Sequence, residues 1–309
     1  MYPTSLSRRH LLAGVGGLAL VAAGCSNNDP LTGGDGGGSG GGEGGPLVIG
    51  SQQYYSNEII AELYAQILEA AGREVDRQYQ IGQREVYLPE LESGRIDLLP
   101  EYGGNLLQYF DDQTSATTSE EIQAALAEVA PAGLRVLPYA AATDQDAYVC
   151  TQAFSEEHGL TSLADLAGAG VDLVVAANSE FGTRPYGPDG LQSVYGASAT
   201  LLPVEDSGGP LTVKALLDGD ANLADIYTAS PVIDTENLVV LEDPESLILP
   251  QNVTPLVSER IDDEAAAAIQ TVTDLLTLEA LREMNARSVN DQANSEVIAK
   301  DWLEANGLL

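Results

Sequence analysis

Ser93-Gly94-Arg95-Ile96-Asp97-Leu98-Leu99-Pro100-Glu101-Tyr102-Gly103-Gly104 is the stretch whose reading decides the fold. Gly94 closes a helical stretch over residues 86–91. Pro89 is tolerable there only in the first turn, because a proline deeper in a helix lacks a donor and clashes with the turn before it. Residues 95–99 read as a short apolar strand that runs into the loop Pro100-Glu101-Tyr102-Gly103-Gly104. Upstream, Leu47-Val48-Ile49-Gly50-Ser51 is a strand ending at a Gly-Ser turn. Ser56 then opens a helix with Ile59, Ile60, Leu63, Ile67 and Leu68 at helical spacing, ended by Gly72. Residues 74–81 form a second strand. Strand, helix, strand, helix, strand predicts parallel pairing with crossover helices. In such open sheets ligands sit beyond the carboxyl ends of the strands. That rule singles out Gly50-Ser51-Gln52 and Glu101-Tyr102-Gly103.

A second alternation follows. Strands are expected at 147–151, 171–176 and 224–227, and helical stretches at 163–166, 191–195 and 211–217. Beyond Pro250 the chain reads as mostly helical, over 262–276, 278–286 and 295–305. Two α/β units and a helical tail suggest two lobes, and no internal repeat is visible in the sequence.

The first 46 residues indicate where the protein works. Ser7-Arg8-Arg9-His10-Leu11-Leu12 is a twin-arginine start, followed by a short apolar run and by Ala22-Ala23-Gly24-Cys25. A charged start, a short apolar run and small residues before a cut describe an export signal, and paired arginines point to the Tat route. Cys25 at the cut looks like a lipobox cysteine, the site of lipidation; an ordinary cleaved signal with a coincident cysteine is the competing reading. Residues 26–46 are mostly glycine, a composition that makes a flexible tether rather than a core.

Composition excludes several functions. The formal net charge of −34 makes nucleic acid an improbable partner, since phosphate binding needs clustered Lys and Arg. Membrane contact is expected through the lipid anchor only. Cys150 is the only cysteine besides Cys25, so no disulfide framework exists, and a buried inert thiol is expected there. His10 and His158 are the only histidines, too few for a zinc cluster or a Ser-His-Asp triad. No cofactor, metal or catalytic constellation is expected. A hydrolase that works with carboxylates alone stays open, because acids are everywhere.

Gly50-Ser51, residues 59–66, the 93–104 stretch, Glu180-Phe181-Gly182-Thr183-Arg184-Pro185-Tyr186-Gly187 and residues 220–227 together resemble the glycine betaine/choline (quaternary ammonium, osmoprotectant) substrate-binding lipoproteins of ABC importers. The resemblance covers nearly all of 47–309. It implies a type II periplasmic-binding-protein fold, two α/β lobes joined by two hinge strands. Residues 1–25 would be the export signal with lipobox and 26–46 the tether. Residues 47–142 would be the first part of lobe 1, 143–247 lobe 2, and 248–309 the helical return to lobe 1. It implies a monomeric, non-catalytic receptor that hands a small quaternary ammonium solute to a membrane-embedded ABC permease.

The resemblance also implies the site. Tyr102 and Tyr227 match two tyrosines of the family's cation cage, and Arg184 matches its carboxylate-binding arginine. A trimethylammonium group donates no hydrogen bonds, so aromatic faces are its natural partners. This sequence departs from the pattern. Asp146 and Gln251 stand where two further cage tyrosines align, Gln52 replaces a lysine and Asn105 a threonine. Tyr54, Tyr55, Tyr148 and Tyr186 are candidate substitutes, and Thr228 follows the Tyr227 cage position. Asp146 favours a ligand without a carboxylate, Arg184 one with a carboxylate, and an Asp146–Arg184 ion pair in the empty protein would reconcile them. Glu101 is expected to hold the Tyr102 loop. A same-fold receptor for another solute (an amino acid, polyamine or other osmolyte) is the alternative.

Overall fold

The computed structural model describes residues 44–309; the expected export signal, Cys25 and all but the end of the expected tether lie outside the described residues. The chain forms β1 (Leu47–Gly50), α1 (Tyr55–Ala70), β2 (Val75–Gln78), α2 (Arg84–Glu92), β3 (Leu98–Tyr102), α3 (Gly103–Phe110), α4 (Ser119–Val129) and β4 (Leu134–Val136). It then crosses into β5 (Tyr148–Thr151), α5 (Gln152–His158), β6 (Leu173–Ala177), α6 (Pro188–Tyr195), β7 (Ala199–Pro203), α7 (Pro210–Asp218), β8 (Leu223–Asp225), α8 (Val232–Thr235) and β9 (Leu238–Val240). It returns through β10 (Val253–Ser258) to α9 (Asp263–Thr273), α10 (Leu278–Asn290) and α11 (Ser295–Ala305).

Two five-stranded sheets result, in the orders β2-β1-β3-β10-β4 and β7-β6-β8-β5-β9. In the first, β1 runs parallel to β2 and β3, and β10 runs antiparallel to β3 and β4. In the second, β6 runs parallel to β7 and β8, and β5 runs antiparallel to β8 and β9. The same arrangement is thus built twice, although no repeat shows in the sequence. Each sheet is covered on both faces. Leu98 and Tyr102 of β3 point toward α1 and the tail helices, while Leu99 points toward α2, α3 and α4, as the two-residue side-chain period of a strand requires. In the second sheet Val175 faces α6 and Ala176 faces α7.

Three sequence expectations change. The strand expected over 95–99 begins at Leu98 and continues to Tyr102, so Pro100, Glu101 and Tyr102 are strand rather than loop. Here the tertiary partner decides: β10 pairs along the whole stretch, with Pro255 opposite Pro100. Pro100 lies past the end of β1, where its missing N–H costs no ladder bond, and its carbonyl accepts from Asn57 Nδ2 at 2.9 Å. Pro89 lies beyond the first turn of α2. The stretch around 163–166 is a 3-10 turn, Leu163–Gly168, rather than an α-helix.

The two crossings run side by side. Thr143 pairs with Asn252 in an isolated antiparallel bridge, Val253 N donates to Ala142 O at 2.9 Å, and Asp144 N donates to Gln251 O at 3.3 Å. Gly104 is required here. A Cβ on it would lie 2.7 Å from both Leu249 Cβ and Pro250 O, and its N–H donates to Pro250 O at 3.0 Å. At the other end of the first sheet Arg260 ties the chain's entry down, donating to Asp97 and to the carbonyls of Gly45 and Pro46.

Glu101 is the polar anchor of the first lobe. It is fully buried, takes a bidentate pair of bonds from Arg84 at 2.8 Å each, and accepts from Tyr87 Oη at 2.5 Å and from Tyr102 N at 2.9 Å. Removing one partner of such a buried pair leaves an uncompensated charge. Glu101→Ala is therefore expected to lower the unfolding free energy by about 3–5 kcal/mol, measured by urea denaturation.

Candidate ligand-binding cleft

The strand ends predicted to carry ligand residues converge on one cleft, about 460 Å³ with its open mouth included. From the first lobe come Gln52, just past β1; Tyr54, at the N-cap of α1; Tyr102, closing β3; and Asn105, in the first turn of α3. The crossings contribute Asp144, Asp146 and Gln251. From the second lobe come Asn178 past β6, Glu180, Phe181, Arg184 and Tyr186 in the segment before α6, and Asp225 and Tyr227 at the end of β8.

The aromatic wall is continuous. The Tyr54 ring stacks on Tyr102 at 6.4 Å between centroids and meets Tyr227 at 5.0 Å, tilted by 55°. Tyr186 is buried in the cleft lining, with Phe181 edge-on to it at 5.8 Å. Tyr54 and Tyr186 are therefore the candidate substitutes that reach the cleft. Tyr148 does not: its hydroxyl donates to Tyr186 O at 2.8 Å from behind.

Three of the four polar departures from the family pattern form one ring. Asn105 Nδ2 donates to Asp146 Oδ2 at 2.7 Å, Gln251 Nε2 donates to Asn105 Oδ1 at 2.9 Å, and Asp146 N donates to Gln251 Oε1 at 3.2 Å. Asp225, which accepts from Ala147 N at 3.3 Å, has its carboxyl pushed well above the usual carboxylate range by burial and then by the Asp146 charge. Asp144 accepts from Ser56 Oγ at 2.8 Å and from Ala229 N at 3.1 Å, and burial pushes its carboxyl up to about 6.

Arg184 does not pair with Asp146, as the sequence had suggested. It reaches across the mouth and donates to Glu85 Oε1 of the first lobe at 2.9 Å. The Asp146 carboxylate is already engaged by Asn105, and the two lobes meet closely enough for Glu85 to be the acceptor within reach. Gln53 and Gln83 bridge the mouth too, donating to Ser207 Oγ at 3.0 and 3.4 Å. Two expected ligand residues lie elsewhere. Thr228 holds the hinge, its hydroxyl accepting from Gln145 N at 2.9 Å and its carbonyl from Arg282. Tyr55 faces a small neighbouring pocket with Ser56, Ser207 and Ser230. Gln83, Arg84, Asp144, Asn178, Glu180, Phe181 and Asp225 line the cleft without having been singled out as ligand residues. Only Asp225 carried a usable signal, its place just before Tyr227 at a strand end.

Two α/β lobes, hinged by paired crossings around an acidic, tyrosine-walled cleft, define a two-lobe solute receptor. The chain belongs to the OpuAC family, the substrate binding domain of ABC-type glycine betaine transport system, which it matches over residues 45–305. Among curated proteins it is similar to the glycine betaine-binding protein YehZ of Escherichia coli strain K12, 26% identical over 279 residues, which cover 85% of this chain and 91% of that one. Its fold matches that of a glycine betaine/carnitine/choline ABC transporter protein with a TM-score of 0.69, at 17% identity, covering 85% of this chain and 99% of that one. It also matches an ABC-transporter choline binding protein in complex with choline, at a TM-score of 0.60 and 16% identity, covering 84% and 89% of the two chains. These neighbours share the type II periplasmic-binding-protein architecture. Among the described residues no helix is long and apolar enough to cross a membrane.

The raised Asp144 carboxyl makes the protein's stability fall with pH. The folded state holds a proton that the unfolded chain has lost, so the contribution is full below 3.8 and disappears as pH rises through about 6. The shift corresponds to about 3 kcal/mol. Asp144→Asn is expected to flatten this slope between pH 4 and 7, measured as unfolding free energy against pH beside the unsubstituted protein.

Proposed function

We propose that this chain is the extracytoplasmic receptor of an ABC importer and that it captures a small quaternary ammonium solute, such as glycine betaine or choline, between its lobes. The observation that carries the reading is the grouping of Tyr54, Tyr102, Tyr186 and Tyr227 with Asp146 and Asp225 around one cleft. A quaternary cation cannot be held by hydrogen bonds, so its affinity must come from ring faces, each contributing about 0.5–2 kcal/mol, and from fixed negative charge. The names of the relatives, which mention glycine betaine and choline, point the same way. In this reading Gln52, Asn105 and Gln251 orient the polar end of the ligand, and Arg184 leaves Glu85 to meet a ligand carboxylate where there is one. Closing the lobes excludes water and strengthens each electrostatic contact.

The lobes would be residues 47–142 with 248–309, and residues 143–247. The receptor acts as a monomer, catalyses no reaction and docks on a membrane-embedded permease. Tat-type export and a lipid at Cys25 would hold it to the outer face of the membrane, with residues 26–46 as the tether. Cys25→Ser is then expected to move the protein from the membrane fraction to the soluble extracytoplasmic fraction, read by fractionation and immunoblot.

Isothermal titration with glycine betaine, choline, carnitine and proline betaine tests the ligand. Binding of at least one is expected, and Tyr227→Ala is expected to weaken it about tenfold or more, the scale of one lost ring face. A same-fold receptor for an amino acid, polyamine or other osmolyte is the second reading, favoured by the polar side formed by Gln52, Asn105, Asp146 and Gln251. Thermal stabilisation by such a solute, with none from quaternary ammonium compounds, would select it.

A further inference from the structure

The acidic side of the cleft is more than a set of solvated charges. Asp146 and Asp225 arrive from different parts of the chain, one on the first crossing and one at the end of β8, and are 6% and 7% exposed. Both line the same cleft, and the N–H of Ala147, the residue after Asp146, donates to Asp225 Oδ1 at 3.3 Å, which makes the two acids neighbours. Burial and then the Asp146 charge push the Asp225 carboxyl well above the usual carboxylate range, because neighbouring like charges resist joint ionisation. Asp146 also accepts from Asn105 Nδ2 at 2.7 Å.

The groups facing the pair add no free positive charge. Asp144 on the crossing and Glu180 from the second lobe are acidic. Tyr148, Tyr186 and Tyr227 present neutral hydroxyls, with Asp243 behind Tyr148. Arg84 is bound to Glu101 by two bonds, Arg184 is bound to Glu85, and Arg282 lies behind Asp144 and donates to Thr228 O. A second observation points to a ligand. Gln52 lines the cleft, is 5% exposed, and its Nε2 has no hydrogen-bond partner. A buried amide donor without an acceptor costs free energy until something fills the cleft.

We propose that the Asp146–Asp225 pair selects solutes of net positive charge over zwitterions and releases a proton when such a solute binds, with the solute's neutral acceptor taken by Gln52. This deepens the quaternary ammonium reading above and rests on it. The balance is simple. The carboxyl O–H bond breaks, the proton passes to the solvent buffer, the pair goes from one negative charge to two, and the incoming cation supplies the compensating charge. A quaternary alcohol satisfies both ends, its cation against the pair and its hydroxyl oxygen on Gln52. A betaine must in addition detach Arg184 from Glu85 to pair its carboxylate.

The test is calorimetric titration of choline and glycine betaine into the intact 47–309 body and the full chain, between pH 5 and 8, in buffers of widely different ionisation enthalpy. Choline is expected to bind more tightly than glycine betaine. Its apparent heat should vary with the buffer, with a slope near one proton released at the acid end. Its affinity should rise by up to about tenfold per pH unit before levelling off. Asp225→Asn, with folding checked by circular dichroism, is expected to give buffer-independent heats, a flat pH profile and a reduced preference for choline. Asp146→Asn provides the same comparison if Asp225→Asn does not fold. Choline heats that are the same in every buffer across this range, or tighter binding of glycine betaine than of choline, would overturn the inference while leaving the quaternary ammonium reading in place. Failure of every quaternary ammonium compound to bind would overturn both.

Discussion

The antiparallel ladder between β3 and β10 is the constraint on which the rest depends. It pairs Val253 with Tyr102 and continues to Val257 opposite Leu98. By bringing the return crossing to the carboxyl end of β3, it sets Asn252 and Pro250 against the N–H groups of Gly103 and Gly104. It thereby fixes Gln251 beside Asn105 and Asp146. The tail that follows β10 covers α1, so the first lobe is completed by residues that come last in the chain. Cleft, hinge and core of this lobe are consequences of one set of backbone hydrogen bonds.

The electrostatics are arranged around that frame in two zones. Deep in the first lobe, Arg84 and Glu101 neutralise each other, and their fork-to-fork geometry leaves Tyr102 fixed by its own backbone N–H. In the cleft, by contrast, acids outnumber the bases free to answer them. Burial there raises the carboxyls of Asp144 and Asp225 instead of pairing them with a cation. A protein with a net charge of −34 has no shortage of acids on its surface, where water screens them. Of the buried acids, Glu62, Asp97 and Glu101 are paired with arginines, whereas Asp144 and Asp225 line the cleft. Arg184 stands between the zones. Its pair with Glu85 spans the mouth, so the same guanidinium can close the lobes or meet a ligand group.

Much of the site was legible because of where strands end. Tyr102, Tyr227 and Gln52 follow apolar stretches whose periodicity marks them as strands, and the carboxyl ends of parallel strands are where an open sheet offers a crevice. Tyr54 and Asn105 lie at the starts of helices that follow such strands. Asp146 and Gln251 were legible only as departures from a family pattern. What they do together is not legible at that level, because the ring they form with Asn105 joins three separate segments. β10 itself was missed. Pro255 marks its middle, and a proline normally speaks against a central strand; here its backbone turns toward Leu137, just past the end of β4, where its carbonyl still accepts from Leu137 N at 2.9 Å.

The sequence by itself determined the two strand-and-helix alternations, though not β4, β7, β9 or β10, the helical tail and the residues that follow several strand ends. Those properties follow from local hydrophobic periodicity and turn chemistry, which act within a dozen residues. Only the tertiary structure decided that Arg184 meets Glu85 instead of Asp146, that Thr228 serves the hinge, that Tyr186 reaches the cleft while Tyr148 does not, and that Asp146 and Asp225 line one cleft. Each of these depends on how two lobes pack across paired crossings. That packing sets distances between residues far apart in the chain, and a local pattern carries no information about them.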